Sequence, residues 1–238
     1  MSKTSAAPTP APGHFGHFPQ QFGLYFRASA QDKKTHYFFL GTSPSAPVYA
    51  FSVHKGLKRT LQATLHSSPE WTSAPLATFG IEGIWKGVSV ITLPALSDAA
   101  GGAPTVVRVK DKGSLKEEKF VFPVPVGEGG EENFEWRGPG ALKPTPGVAQ
   151  VKRLTRQGSE VVLATWTEEL DPVGKGALGY FAFVEGGGSA QLGGYWTLVA
   201  VATGIRLAQV KWEASAAAEQ MIKGAGKVVM GAGGLVGG

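Results

Sequence analysis

Between Phe22 and Val184 the chain is a succession of short runs in which apolar and polar residues alternate. In RTLQATL (59–65), Leu61, Ala63 and Leu65 fall on one side with polar residues between them. A period of two marks a half-buried strand, because successive side chains leave a strand on opposite faces. PVYAFSV (47–53) sets Tyr49, Phe51 and Val53 against Val48, Ala50 and Ser52, and GLYFRA (23–28), THYFFLG (35–41) and GALGYFAFV (176–184) are aromatic-rich runs of the same kind. VAQVKRLTR (148–156) and EVVLATWTE (160–168) meet at Gln157-Gly158-Ser159 and predict a hairpin. TVVRVK (105–110) and LKEEKFVF (115–122) predict another around Asp111-Lys112-Gly113. About eleven such strands in succession predict an antiparallel barrel or sandwich.

The pattern changes at Gly193. GGYWTLVAVATGIRLAQVKWE (193–213) carries no charge from Tyr195 to Ile205, where only Thr197, Thr203 and Gly204 are not apolar. A helix that is apolar all round is buried on all sides. The preceding strands are therefore predicted to wrap around it, with a strand backbone packed closely on Gly204. Farther along, Arg206, Gln209 and Glu213 recur at helical spacing on one side, while Leu207, Val210 and Trp212 stay apolar. That spacing predicts a helix enclosed over its first half and emerging toward solvent over its second. The apolar part is about 11 residues, short of the ~20 that span a bilayer, so a core helix is expected rather than a membrane span.

Outside the domain at 21–213, residues 1–20 read as a disordered Pro/Ala-rich arm, with His14 and His17 too isolated to hold a metal. Residues 214–238 prolong the helix to about Lys223 and then read as an Ala/Gly-rich flexible tail, since each interior Gly costs about 1 kcal/mol against Ala. The first 20 residues hold no apolar h-region, so no secretory signal is expected.

Composition narrows the chemistry. The absence of Cys excludes disulfides, thiolate metal sites and a Cys nucleophile, and suits a cytoplasmic location. A net charge of +5 permits attraction to phosphates or anionic lipid, but lacks the clustered stripe of a nucleic-acid binder. No GxSxG elbow, HExxH helix or GxxxxGK[ST] loop is present, and the five His fall in no recognised spacing with a Ser and a carboxylate. Adjacent acids such as Glu117-Glu118 point to opposite faces of a strand and cannot act as one acid–base pair. No enzyme and no cofactor is expected.

The later strands carry a resemblance. Phe134-Glu135-Trp136-Arg137, Leu154, Val161 to Trp166, Tyr180-Phe181-Ala182-Phe183 and Tyr195 to Val201, in that order, resemble the tubby C-terminal-like fold. That superfamily takes in the tubby proteins, the LURP-one-related proteins and the phospholipid scramblases; the small fungal tubby-like proteins look most similar. The resemblance covers roughly residues 22–213, with its specific residues in 132–213. It implies a closed β-rich (α+β) barrel of about twelve antiparallel strands around one central hydrophobic C-terminal helix. Trp136, Trp166, Phe181, Phe183 and Trp196 are expected in the core, with Arg137 beside an acid. Gly193-Gly194 stand where the resemblance leads one to expect acidic residues.

The same resemblance implies lipid chemistry, because animal tubby proteins bind phosphoinositide headgroups with Lys and Arg on the barrel wall. The candidates here are Lys58 and Arg59 beside Lys55, the group Lys152, Arg153 and Arg156, and the hairpin cations Arg108, Lys110, Lys112, Lys116 and Lys119. The expected function is non-enzymatic, with peripheral binding of anionic phospholipid or phosphoinositide by a cytoplasmic monomer. The alternative is a protein-interaction or scaffold module with no small ligand, using the two terminal segments to hold protein partners.

Overall fold

The computed structural model describes residues 15–27, 35–55, 61–82, 88–95, 103–126, 130–140, 148–169, 176–185 and 192–232, with helix side chains through Glu213. Twelve strands come first: β1 (Gln21–Arg27), β2 (Thr35–Ser43), β3 (Ala46–Lys55), β4 (Leu61–His66), β5 (Pro75–Glu82) and β6 (Val88–Leu93). They continue as β7 (Thr105–Asp111), β8 (Glu117–Val126), β9 (Gly130–Pro139), β10 (Val151–Arg156), β11 (Val162–Glu168) and β12 (Ala177–Phe183). One helix, α1 (Gly193–Ala232), follows.

Every strand pairs antiparallel with its sequence neighbours, and β1 closes the sheet against β12. The result is a closed twelve-stranded antiparallel barrel, and closure leaves no unpaired sheet edge. The alternation read from the sequence sets the lining. Phe51 and Val53 face in from β3, Phe122 and Val124 from β8, Phe134 and Trp136 from β9, and all are buried.

Helix α1 fills the lumen. Tyr195 to Ala202 pack at one end, where Trp196 lies 5.8 Å from Phe134 and 6.3 Å from Phe183 between ring centroids. This end is the inlet rim. Gly193 starts the helix with φ of 78°, a left-handed conformation that favours glycine over an acidic side chain. Trp212 reaches the opposite, outlet rim, 4.6 Å from His36 and 5.5 Å from Phe38. Midway, the Trp136 indole donates to Thr203 Oγ1 at 2.9 Å, and Thr203 donates to the Ala200 carbonyl. Gly204 packs against side chains instead of a strand backbone: a Cβ there would sit 3.1 Å from the Phe181 ring and 3.4 Å from Trp136.

Three expectations change. First, the polar stripe of α1 does not turn to solvent. Arg206 is 2% exposed and Gln209 1%, whereas Val210 is 41% exposed. The barrel wall encloses the helix longer than its apolar run, so the stripe is covered before the helix leaves. Second, the helix continues to Ala232, past the stop expected near Lys223. Once a packed segment has paid for nucleation, further turns need only propagation. Third, residues 15–20 are not a free arm. Phe15 packs edge-on to Tyr195 at 5.2 Å, Phe18 lies 4.7 Å from Tyr49, and the Tyr49 hydroxyl donates to the His17 carbonyl at 2.9 Å. The segment closes over the inlet rim. His14 and the rest of 1–14 lie outside the described residues.

Candidate functional site

The cations nominated from sequence are dispersed by the geometry. Lys58 and Arg59 lie outside the described residues. Lys152, Arg153 and Arg156, close in sequence, go to three places. Lys152 shares its face with Leu154 and turns into the lumen, where it is 3% exposed. There it pairs with Glu118 and donates to Glu168 at 3.0 Å. A buried lysine held by two carboxylates is a structural ion pair and is closed to a ligand on the wall. Arg156 sits toward the inlet rim and pairs with Glu132 at 3.0 Å. Only Arg153 stands on the outer wall, exposed, with no ion pair among the described residues.

What joins Arg153 is set by strand register. Lys119 of β8 is opposite Arg137 of β9, and Arg137 is opposite Arg153 of β10. Directly opposed side chains stand about 4.5–5.5 Å apart at Cβ, and like charges so placed destabilise the sheet. Three cations therefore form a lateral row on the outer face, close to the outlet rim. One carboxylate lies within it. Glu135, fully buried, accepts from Arg137 Nε at 2.6 Å and lies 2.9 Å from Lys119 Nζ. Its single negative charge is shared by two of the three cations, and Arg153 has no ion pair among the described residues.

The wall opens beside this row. The β10–β11 register slips between Leu154 and Thr155, where Ala164 and Val162 are successive partners and Leu163 is the extra residue. Such a bulge bends the strand and locally disrupts the ladder. A groove of about 360 Å³ lies here, with Arg137 and Arg153 on its sides, Thr155 and Ser159 supplying hydroxyls, and Glu117 and Glu160 also lining it. Thr155 Oγ1 is buried without a hydrogen-bond partner. Two guanidinium groups on a bulged wall form a place where phosphate or carboxylate oxygens would find donors. Arg108, by contrast, is tied to Glu82 through Nε at 2.9 Å and Nη2 at 3.0 Å.

Register also assembles a chain that spacing along the sequence did not suggest. On the outer face of β2–β4, Thr35 Oγ1 lies 3.1 Å from His54 Nδ1, and His54 Nε2 lies 3.3 Å from Ser52 Oγ. Ser52 Oγ lies 3.0 Å from His66 Nε2, and His66 Nδ1 lies 3.2 Å from the Ser73 carbonyl. A carbonyl can only accept, so His66 carries its proton on Nδ1 and accepts from Ser52 at Nε2. Burial pushes the His66 pKa down, helped by the charge of His54 and opposed by the Ser73 carbonyl. Ser52 is 2% exposed, so this Ser–His pair is sealed from substrate. Among the described residues no group of three or more His, Cys, Asp or Glu could hold a metal.

A second polar cluster lies inside the barrel. Arg206 Nε donates to Ser89 Oγ at 3.1 Å, and Nη1 lies 3.9 Å from Glu213 Oε1. Burial lowers the Arg206 pKa, and it raises that of Glu213 against the pull of Arg206. Gln209 lies beside them, and its side-chain hydrogen bond with Glu213 also opposes the rise in the Glu213 pKa.

Trp136, Trp166, Phe181, Phe183 and Trp196 are all buried. The signal that unites Lys119 and Arg137 with Arg153 is the pairing of β8, β9 and β10, not proximity along the chain. Among the described residues no helix is long and apolar enough to cross a membrane. Comparison with family models, with curated proteins and with solved structures finds no match.

Proposed function

We propose that this protein is a non-enzymatic barrel that binds anionic phospholipid peripherally, taking a phosphate-bearing headgroup in the outer-wall groove of β8–β11. The observation that carries the reading is the lateral row Lys119, Arg137 and Arg153, in which one buried carboxylate serves two cations. A row of like charges costs stability, and a bound anion would offset that cost. The tubby-like reading of the chain, itself a proposal, points the same way.

The roles divide by position. Arg153 offers a guanidinium with no carboxylate to displace, so it contributes most to binding. Arg137 is held in place by Glu135 and orients the ligand. Lys152 and Arg156 take no part, since each already has its counter-ion.

Sedimentation with phosphatidylcholine vesicles, with and without phosphoinositide, tests this. Wild type is expected to co-sediment only when phosphoinositide is present, and Arg153→Glu to bind at least about tenfold more weakly, the loss of roughly one charge-assisted contact. Arg156→Glu should change binding little. Wild type that ignores phosphoinositide at low salt, or Arg153→Glu that binds as wild type, contradicts the proposal. The first outcome, together with a partner recovered by pull-down, would favour a protein-interaction module.

A further inference from the structure

The turn that joins β10 to β11 stands at one end of the groove, and its Ser159 lines the same cavity as Arg137 and Arg153. Two backbone bonds hold the turn. The Ser159 amide donates to the Arg156 carbonyl at 3.0 Å, and the Gln157 amide donates to the Asn133 carbonyl at 2.9 Å. Gly158 takes φ of 81°, and a Cβ there would meet nothing within 4 Å, so the turn projects clear of the barrel. Ser159 Oγ accepts from the Val161 amide at 3.1 Å. That contact uses a lone pair of the hydroxyl and not its proton.

The sequence of the turn carries a second signal. Arg156-Gln157-Gly158-Ser159 places a guanidinium three residues before the hydroxyl, and Arg153 stands three residues earlier still. No other Arg in the chain has a Ser or Thr three residues on. An Arg at that offset is the feature that the acidic cleft of an arginine-directed protein kinase reads. The pair of Arg156 with Glu132 lies at the surface, so a kinase carboxylate can replace Glu132 at little cost. Chain order thus offers Ser159 to a kinase, while strand register sets Arg137 and Arg153 beside it.

We infer that Ser159 is a phosphorylation site and that its phosphate occupies the groove, closing it to lipid headgroups. This rests on the phospholipid reading above and adds the regulation of that site. In the transfer, Ser159 Oγ bonds to the γ-phosphorus of ATP, the bond from that phosphorus to the bridging oxygen of ADP breaks, and the hydroxyl proton leaves to a base of the kinase. The product brings about two negative charges and three acceptor oxygens. Arg153 meets them with no carboxylate to displace. It lies three strand residues below the turn, a rise of roughly 10 Å, which an extended Arg and a phosphoserine span together. Glu117 and Glu160 also line the groove and oppose the phosphate, but both are exposed and their repulsion is screened. A phosphate tethered beside the groove acts at high effective concentration, so it excludes a headgroup that must arrive from outside.

The test treats the folded full chain with the catalytic subunit of cyclic-AMP-dependent protein kinase and ATP, and locates the phosphate by mass spectrometry. Ser159 should be modified, and Ser159→Ala should lose that incorporation. Phosphoserine encoded directly at position 159 supplies the same product without the kinase, and a thermal melt checks that each protein folds. The phosphorylated chain should bind phosphoinositide vesicles at least about tenfold more weakly than the chain treated without ATP. Phosphorus-31 resonance followed against pH reads the capture itself. Pairing with a guanidinium favours the dianion, so the midpoint should fall below the ordinary value of about 6 and return to it in Arg153→Gln. No phosphate on Ser159 in the folded chain overturns the modification site. Phosphorylated protein that binds vesicles as well as the untreated chain, or a midpoint unchanged by Arg153→Gln, overturns the closure and leaves the phospholipid reading standing. Untreated protein that ignores phosphoinositide overturns the phospholipid reading, while the phosphorus titration still decides whether Arg153 captures the phosphate.

Discussion

The two halves of α1 lie in the same lumen and are held by different physics. From Tyr195 to Ile205 the helix meets the aromatic rings of Phe134, Phe181 and Phe183, and its one buried hydroxyl is satisfied through Trp136 and Ala200. Fully burying one large apolar side chain contributes about 1.5–3 kcal/mol. From Arg206 to Glu213 the enclosed face is polar, with a guanidinium and a carboxyl 3.9 Å apart and a buried glutamine beside them. Burying charges costs solvation that an imperfect pair does not fully repay. The contrast places apolar packing toward the inlet rim and a buried polar cluster toward the outlet rim.

The strongest attack on this contrast is Trp196→Asp. A carboxylate among Phe134 and Phe183 has no partner, and the loss of the ring leaves a cavity. The expected cost is about 5 kcal/mol or more, enough to abolish the cooperative melt of a typical domain. A near-unchanged melt by circular dichroism would mean that the inlet half does not hold the barrel together.

The outlet half should answer differently to removal of one partner and of both. Glu213→Ala leaves Arg206 buried without a counter-ion and should destabilise by about 3 kcal/mol. The double variant Arg206→Met, Glu213→Leu should be neutral or stabilising, because packed apolar groups replace an imperfect ion pair. Urea unfolding of the three proteins gives the comparison. Equal losses in the single and double variants would show that the pair is a net stabiliser.

The smallest expected effect is a pH dependence from His66. Its folded pKa is depressed by burial, so the unfolded chain binds more protons as pH falls through the His range near 6.5. Stability should therefore decline as pH falls below about 6.5, and His66→Gln should flatten that decline. Glu213 acts with the opposite sign. Its raised pKa favours the protonated folded form, so its contribution is lost as pH rises above the ordinary Glu range near 4.5. Melts recorded across pH 4–8 separate the two, since Glu213→Gln removes only the second. A decline that persists unchanged in His66→Gln would rule out His66 as its source.

The barrel was legible because alternation by two is a local property, and Leu65, Phe51 and Phe122 each announce their face within a few residues. The central helix was legible for the same reason, since Tyr195 to Ile205 permits only enclosure. Where enclosure ends was not legible. Whether Arg206 meets water or Ser89 depends on how far the wall reaches, and no residue of α1 encodes that. The binding row was hidden by chain distance. Lys119, Arg137 and Arg153 become neighbours through the registers of two strand pairs, while Lys152 and Arg153, adjacent in sequence, part to opposite faces.

Hydrogen–deuterium exchange, with and without phosphatidylserine vesicles carrying phosphoinositide, reads the central claim in one experiment. Bound protein is predicted to gain protection in the wall residues around Lys119, Arg137 and Arg153, with no change in 67–74. Protection confined to 67–74, or none anywhere on a protein that remains fully folded, would contradict it.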